Sequence, residues 1–65
     1  MRVDVSALKQ GDRVKLRVLD YMGQWTMTGV IFQVSHDGFR VIETDGSDYG
    51  VAKNTILYAE REEAI

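Results

Sequence analysis

The chain has 65 residues, with eight lysine and arginine residues against ten acidic residues, one histidine and no cysteine. This length allows one domain with a small core, because such a chain buries only about 60% of the surface that it exposes when unfolded. Without cysteine there is no disulfide framework, and a single histidine excludes a zinc-type ligand set. The net charge of −2 argues against a protein that coats nucleic acid through bulk electrostatics.

No stretch approaches the roughly 18 apolar residues that a membrane span needs, so we expect a soluble cytoplasmic protein without metal or cofactor. We predict a single domain over residues 1–65, with residues 60–65 as a loose charged tail. The charges are uneven: residues 1–19 carry five basic against two acidic residues, and residues 41–65 carry two against six. This asymmetry would steer an anionic ligand to one side or let unlike faces of neighbouring copies meet.

The first predicted element is one helical turn in the sequence SALKQG, where Ser6 caps the start and Gly11 ends the turn. The following stretch, DRVKLRVLD, alternates apolar and basic residues, which is the period-two pattern of a half-buried strand. Val14, Leu16 and Val18 form its core face. The other face is a basic ridge of Arg13, Lys15 and Arg17. This ridge is either a solvated surface or a contact for phosphates or an acidic protein segment.

The second predicted strand, QWTMTGVIFQV, is apolar on both faces and contains Gly29, where a strand can bend sharply. If Ile31 faces the core, an apolar stripe lies outside it and predicts an oligomer interface. The stripe consists of Val30, Phe32 and Val34. The alternative is that the bend turns the stripe inward and leaves Ile31 and Gln33 outside.

The single histidine lies in the sequence Ser35-His36-Asp37. Adjacent strand residues point to opposite faces, so these three side chains cannot form a serine-histidine-acid catalytic set. Asp37-Gly38 instead predicts a two-residue hairpin with a type I′ turn. We interpret His36 as a solvent-facing residue beside that turn.

The remaining predicted elements are the strand GFRVIET, a second Asp-Gly turn, the strand YGVAK, a short 3-10 turn at NTI and a last strand LYA. Five short strands and no helix beyond one turn predict an all-β fold. At this length a small, strongly bent five-stranded barrel is favoured over a sandwich, because closure removes exposed sheet edges.

The order of these features resembles the SH3-like small barrels, most of all the Sm-like proteins, with KOW and Tudor modules next. LKQGDRV is similar to the leucine, glycine, aspartate, valine start of KOW barrels, and Val14 to Tyr58 has the layout of an Sm-like core. The resemblance implies a ring of subunits joined edge to edge by their strands, with uridine-rich RNA at the pore.

The chain departs from the Sm-like pattern at several of the family's RNA-binding positions. Ser35 and Phe39 stand where that family has an aspartate and an asparagine. Asn54 and Ile56 match the later family signature, whereas Ala52 and Lys53 replace its arginine and glycine. Bacterial Hfq proteins have a lysine-histidine pair at the place of Lys53-Asn54.

Two further sets of residues are candidate ligand contacts. The nucleic-acid or anion contacts would be Arg13, Lys15, Arg17, Arg40, Lys53 and Asn54. Tyr21 and Trp25 flank the loop DYMGQW, and Tyr49 lies beside the second turn. These aromatic residues would stack bases or hold a peptide, although Trp25 fits a core position equally well.

The leading hypothesis is a non-enzymatic, self-associating small barrel that contacts RNA through its basic first-strand face. The alternative is a protein-interaction adaptor without a nucleic acid partner, which the acidic mean charge favours. A third class is an oligomeric pore enzyme resembling the small plasmid-borne dihydrofolate reductases. This chain has YGVAK where those proteins have a valine-glutamine-isoleucine-tyrosine run.

Overall fold

The computed structural model describes residues 2–62, which form one antiparallel sheet of six strands and two short 3-10 helices. The strands are β1 (Arg2–Val3), β2 (Arg13–Asp20), β3 (Gly23–Val34), β4 (Gly38–Glu43), β5 (Asp48–Ala52) and β6 (Ile56–Glu62). The 3-10 helices cover Val5–Ala7 and Lys53–Thr55. The predicted all-β class is therefore confirmed, and β1 is a strand that the sequence pattern did not predict. No helix in the described range is long and apolar enough to cross a membrane.

The strands follow the order β1-β6-β2-β3-β4-β5, so β1 and β5 form the two edges. The described pairings leave this sheet open, and the closed five-stranded barrel stays a prediction. The sheet nevertheless curves around its inner face. The ring centroids of Trp25 on β3 and Tyr49 on β5 lie 6.3 Å apart, although β4 separates these strands in the sheet.

The core lies on this inner face and follows the alternation of the sequence. Val14, Leu16 and Val18 are buried, as their period-two spacing on β2 predicts. The other buried apolar residues are Leu8, Met27, Ile31, Phe39, Val41, Val51 and Ala59. All strands except the two-residue β1 supply core residues, so the small core depends on the curvature of the whole sheet.

The curvature is located in β3, the longest strand. Gly29 lies opposite Val14 on β2 and Glu43 on β4. A Cβ atom at Gly29 would overlap the carbonyl group of Ile42, so only glycine permits this close approach of β3 and β4. The β3–β4 register then shifts between Ile31 and Gln33, which makes Phe32 the extra residue of a bulge.

Two local predictions were wrong. The first 3-10 helix is capped by Asp4 instead of Ser6, because Asp4 Oδ1 accepts the Ser6 amide at 3.4 Å. The helix ends at Ala7 with Leu8 as its C-cap residue, instead of at Gly11. The β3–β4 hairpin has no type I′ turn, because Asp37 and Gly38 are not among the described residues with positive φ. Gly38 is instead the first residue of β4, where a Cβ would overlap the Val51 carbonyl.

The turn between β4 and β5 is a three-residue hairpin loop. The Gly46 amide donates to the Glu43 carbonyl (2.9 Å), and the Glu43 amide donates to the Ser47 carbonyl (2.8 Å). Gly46 has a φ of 91°, which suits the left-handed position that follows a type I turn in such loops. The second predicted Asp-Gly turn thus uses its glycine for a positive φ, and the first does not.

The last strand is longer than the sequence pattern indicated. The prediction put a loose tail at residues 60–65, but β6 continues to Glu62, with Glu60 opposite Lys15 and Glu62 opposite Arg13. Pairs of opposite charge on neighbouring strands favour such an extension. The rest of the predicted tail, residues 63–65, lies outside the described residues.

Candidate interaction surface

The outer face of the sheet carries an apolar groove across β2, β3 and β4. Ile31 lies in the core, fully buried, whereas Val30 and Phe32 are half-buried on the opposite face. Ile42 lies directly opposite Val30 and remains 41% exposed. The groove has a volume of about 400 Å³ and is lined by Arg13, Thr28, Gly29, Val30, Phe32, Ile42, Glu43 and Thr44.

The bulge separates Val34 from the rest of the predicted stripe. Val34 lies opposite the buried Phe39, at the end of β3, and is 42% exposed. The structure therefore groups Val30 and Phe32 with Ile42 instead of with Val34. The oligomer interface predicted at Val30, Phe32 and Val34 stays a prediction, and the sequence pattern missed Ile42 because its neighbours across strands depend on register.

Charged groups border this groove. The guanidinium carbon of Arg40 lies 5.6 Å from the centre of the Phe32 ring, and its Nη2 forms a 2.8 Å ion pair with Asp48. Arg13 lines the opposite side of the groove. The apolar side chains of β3 therefore lie between Arg40 and the β2 cations, and the predicted cations do not form one continuous basic patch.

The basic ridge of β2 faces acidic residues across the strand. Arg13, Lys15 and Arg17 lie opposite Glu62, Glu60 and Tyr58 of β6, respectively. Glu60 is also opposite Arg2 of β1, whose guanidinium carbon lies 4.7 Å from the centre of the Tyr58 ring. In the described range no ion pair to Arg13, Lys15 or Arg17 is formed. The two oppositely charged ends of the sequence are thus side by side, which lowers the positive potential of the ridge.

Another depression lies on the surface between His36 and the second 3-10 helix. It has a volume of about 280 Å³ and is lined by His36, Asp37, Ala52, Lys53 and Asn54. The Lys53 amide donates to the Asp37 carbonyl (2.8 Å), which ties this helix to the β3–β4 turn. Lys53 Nζ lies 5.4 Å from the centre of the Phe39 ring. His36 and Lys53 are 17 residues apart in the chain, so the sequence alone did not predict that they line the same depression.

The three candidate aromatic residues differ in their environments. Trp25 packs against the core, donates its indole N–H to Asp20 Oδ2 (2.7 Å) and contacts Tyr49. Tyr21 is 96% exposed at the β2–β3 turn, beside the exposed Met22. The structure brings Trp25 and Tyr49 together and places Tyr21 on a projecting loop tip.

No group of three or more His, Cys, Asp or Glu side chains is placed to hold a metal ion within residues 2–62. Hydrogen bonds from Ser47 lower the pKa of Asp45 from its usual 3.8, and the bond from the Ser47 backbone amide has the largest effect. Asp45 is in the β4–β5 turn, so this shift reflects the turn geometry.

Comparisons of the chain with protein-family models, with curated proteins and with solved structures found no match.

Proposed function

We propose that this protein is a cytoplasmic, non-enzymatic interaction module with a small SH3-like or Sm-like barrel architecture. In this proposal it self-associates and holds an apolar side chain of a partner protein in the outer groove. The observation that carries the proposal is the position of Val30, Phe32 and Ile42, which stay partly exposed on the face opposite the core. A contiguous apolar surface of this kind on a soluble domain marks a contact site.

Three physical arguments support the groove as the contact. Its volume of about 400 Å³ lies within the range of ligand pockets, and it suits one bulky apolar side chain better than an extended polar segment. The charged residues at its sides, Arg13 and Glu43, would set the orientation of the bound segment through the polar rim that surrounds most interface cores. A small domain also gains stability from any partner that binds only its folded state.

Phe32→Glu tests this proposal, with Gln33→Glu as the matched control. Both changes put a carboxylate on adjacent residues of β3, but only Phe32 lines the groove, and Gln33 is already exposed. Wild type and both variants are isolated from the same cell extract and weighed by native mass spectrometry. We expect bound protein on the wild type and on Gln33→Glu, and its loss from Phe32→Glu. The same bound mass on Phe32→Glu, or bare chain in all three samples, would overturn the proposal.

A second candidate function is contact with RNA at the depression formed by His36, Lys53 and Asn54. Support comes from the meeting of the β3–β4 turn with the second 3-10 helix, the two segments in which the resemblance to Sm-like proteins puts RNA-binding residues. Arg13 and Lys15 on the outer face would add phosphate contacts. Asp37 in the depression and Glu60 beside Lys15 oppose this function.

The RNA proposal predicts co-purified nucleic acid, seen as a raised ultraviolet absorbance ratio. It also predicts that the affinity for a uridine-rich oligonucleotide falls as salt rises, because phosphate contacts release counterions. Lys53→Ala would weaken this binding and reduce its salt dependence. Lys9→Ala is the control and would do neither, because it removes an exposed cation that does not line the depression. An oligonucleotide affinity that does not change with ionic strength would exclude phosphate contacts.

A further inference from the structure

β5 forms a free edge of the sheet along its whole length. It pairs with β4 on one side, and no described strand pairs with its other side. Asp48, Tyr49, Gly50 and Ala52 are exposed. An edge of this kind presents backbone donors and acceptors that a further strand can use.

The hydrogen-bond pattern shows which residues of β5 point to that edge. The Glu43 amide donates to the Ser47 carbonyl, so these two residues form a hydrogen-bonded pair. Bonded and non-bonded pairs alternate along an antiparallel ladder, and therefore Tyr49 and Val51 bond to β4. Asp48, Gly50 and Ala52 direct their amide and carbonyl groups away from β4. The Ala52 carbonyl already accepts the Thr55 hydroxyl at 2.7 Å.

The centre of this edge lacks the usual protection against strand pairing. Natural edges carry lysine, proline or a bulge that keeps other strands away, but β5 has none of these. Its one charged residue, Asp48, forms an ion pair with Arg40 of the same sheet. Gly50, at the middle of the strand, has open space where a side chain would be.

We infer that β5 pairs with β5 of a second copy, antiparallel, about a two-fold axis at Gly50. This inference rests on the proposed self-association and specifies its geometry. In this register Gly50 lies opposite Gly50 of the partner subunit and Asp48 lies opposite Ala52 of the partner subunit, so the free amide of each residue faces a carbonyl across the axis. Identical edges satisfy each other in this arrangement, as a closed two-fold interface requires.

The other edge of the sheet favours this two-fold pairing over a head-to-tail assembly. β1 has two residues and covers Ala59 and Glu60 of β6. Among the described residues, a β5 strand of another copy would therefore find β6 interrupted by β1, with Ile56–Tyr58 uncovered on one side and residues 61–62 on the other. The two-fold arrangement instead uses all of β5, and it places the 40% exposed Tyr49 beside Val51 of the partner subunit on the inner face.

Gly50→Pro tests the inference, with Gly50→Ala as its matched control. Proline removes the Gly50 amide, which points to the free edge, and it leaves the bonds of β5 to β4 intact, as edge strands permit. Alanine keeps that amide, and its Cβ would meet no atom within 4 Å. By sedimentation velocity we expect dimers for the wild type and Gly50→Ala. For Gly50→Pro we expect a dissociation constant raised at least about tenfold, since two interface hydrogen bonds are lost. A monomeric wild type, or equal association of all three proteins, would overturn the inference.

Amide hydrogen exchange of the wild type gives a second test that needs no variant. Dilution into the monomer range should speed exchange at Asp48, Gly50 and Ala52 and leave Tyr49 and Val51 slow. Exchange that is independent of concentration at Gly50 would contradict the pairing. The Phe32→Glu protein separates the two proposals: it should dimerise through β5 as the wild type does while it loses the partner in the groove.

Discussion

The indole N–H of Trp25 donates to Oδ2 of Asp20 at 2.7 Å, while Oδ1 of the same carboxylate accepts the amide of Met22 at 2.8 Å. One side chain therefore holds both the β2–β3 turn and the orientation of Trp25. The Trp25 ring in turn contacts Tyr49 on β5, across the inner face of the curved sheet. Asp20 thus couples a local turn to the curvature on which the core depends.

Asp20→Ala should lower the free energy of unfolding by about 2 kcal/mol, because two hydrogen bonds to a charged acceptor are lost and one of their donors is partly buried. Asp48→Ala is the control, since it removes an exposed ion pair whose loss costs less than about 1 kcal/mol. Urea denaturation followed by the fluorescence of the single tryptophan measures both. Equal losses of unfolding free energy for the two variants would show that the Asp20–Trp25 hydrogen bond contributes no more to stability than an exposed ion pair does.

Replacement of Tyr21 and of Trp25 by alanine should have very different effects on the free energy of unfolding. Tyr21→Ala should change the free energy of unfolding by less than about 0.5 kcal/mol, because the side chain is 96% exposed. Trp25→Ala should cost about 2 kcal/mol or more through lost packing. Thermal unfolding followed by circular dichroism compares them. A ligand that binds the β2–β3 loop tip would be weakened by Tyr21→Ala at unchanged stability, and a destabilised Tyr21→Ala would mean that this residue packs against the fold.

The parts of the fold that depend on local pattern could be predicted from the sequence. The alternation along β2 correctly places Val14, Leu16 and Val18 in the core, and Gly29 lies where β3 bends. The two-residue β1 could not be predicted, because it pairs with β6 through contacts nearly sixty residues away in the chain. A pattern of two residues carries no periodic signal.

The candidate surfaces were predictable only in part for the same reason. Ile31 and the outward position of Phe32 follow from strand alternation, but the bulge at Phe32 changes the direction of Val34. The position of Ile42 opposite Val30 depends on the register of β3 and β4. The acidic β6 residues opposite the basic ridge also appear only when the strands are paired. The type I′ turn was predicted from Asp37-Gly38, yet tertiary contact with Val51 decides the role of that glycine.

Asp45 should make the stability of the β4–β5 hairpin depend on pH at the acidic end. The Ser47 hydrogen bonds lower the pKa of Asp45 below the usual 3.8, so the charged carboxylate is more stable in the folded state than in the unfolded state. The resulting stabilisation is complete above the unfolded pKa and disappears as pH falls through the lower folded value. Asp45→Asn should therefore melt below the wild type near neutral pH, and the difference should shrink as the solution is acidified. A difference that stays constant on acidification would show that the charge of Asp45 has no part in the turn.

Gly29 is the position where a single methyl group should harm the fold most. A Cβ there would overlap the Ile42 carbonyl and lie 2.9 Å from Cγ1 of the buried Val41. Backbone cannot yield as a flexible side chain does, so Gly29→Ala should cost about 3 kcal/mol or more, a large part of the stability of so small a domain. Gly50→Ala adds the same methyl group where no atom lies within 4 Å, and should change stability by less than about 1 kcal/mol. Guanidinium denaturation of both variants at one protein concentration measures the contrast. Similar midpoints would mean that β3 and β4 separate readily at the bend, and that the groove formed by Val30, Phe32 and Ile42 is deformable.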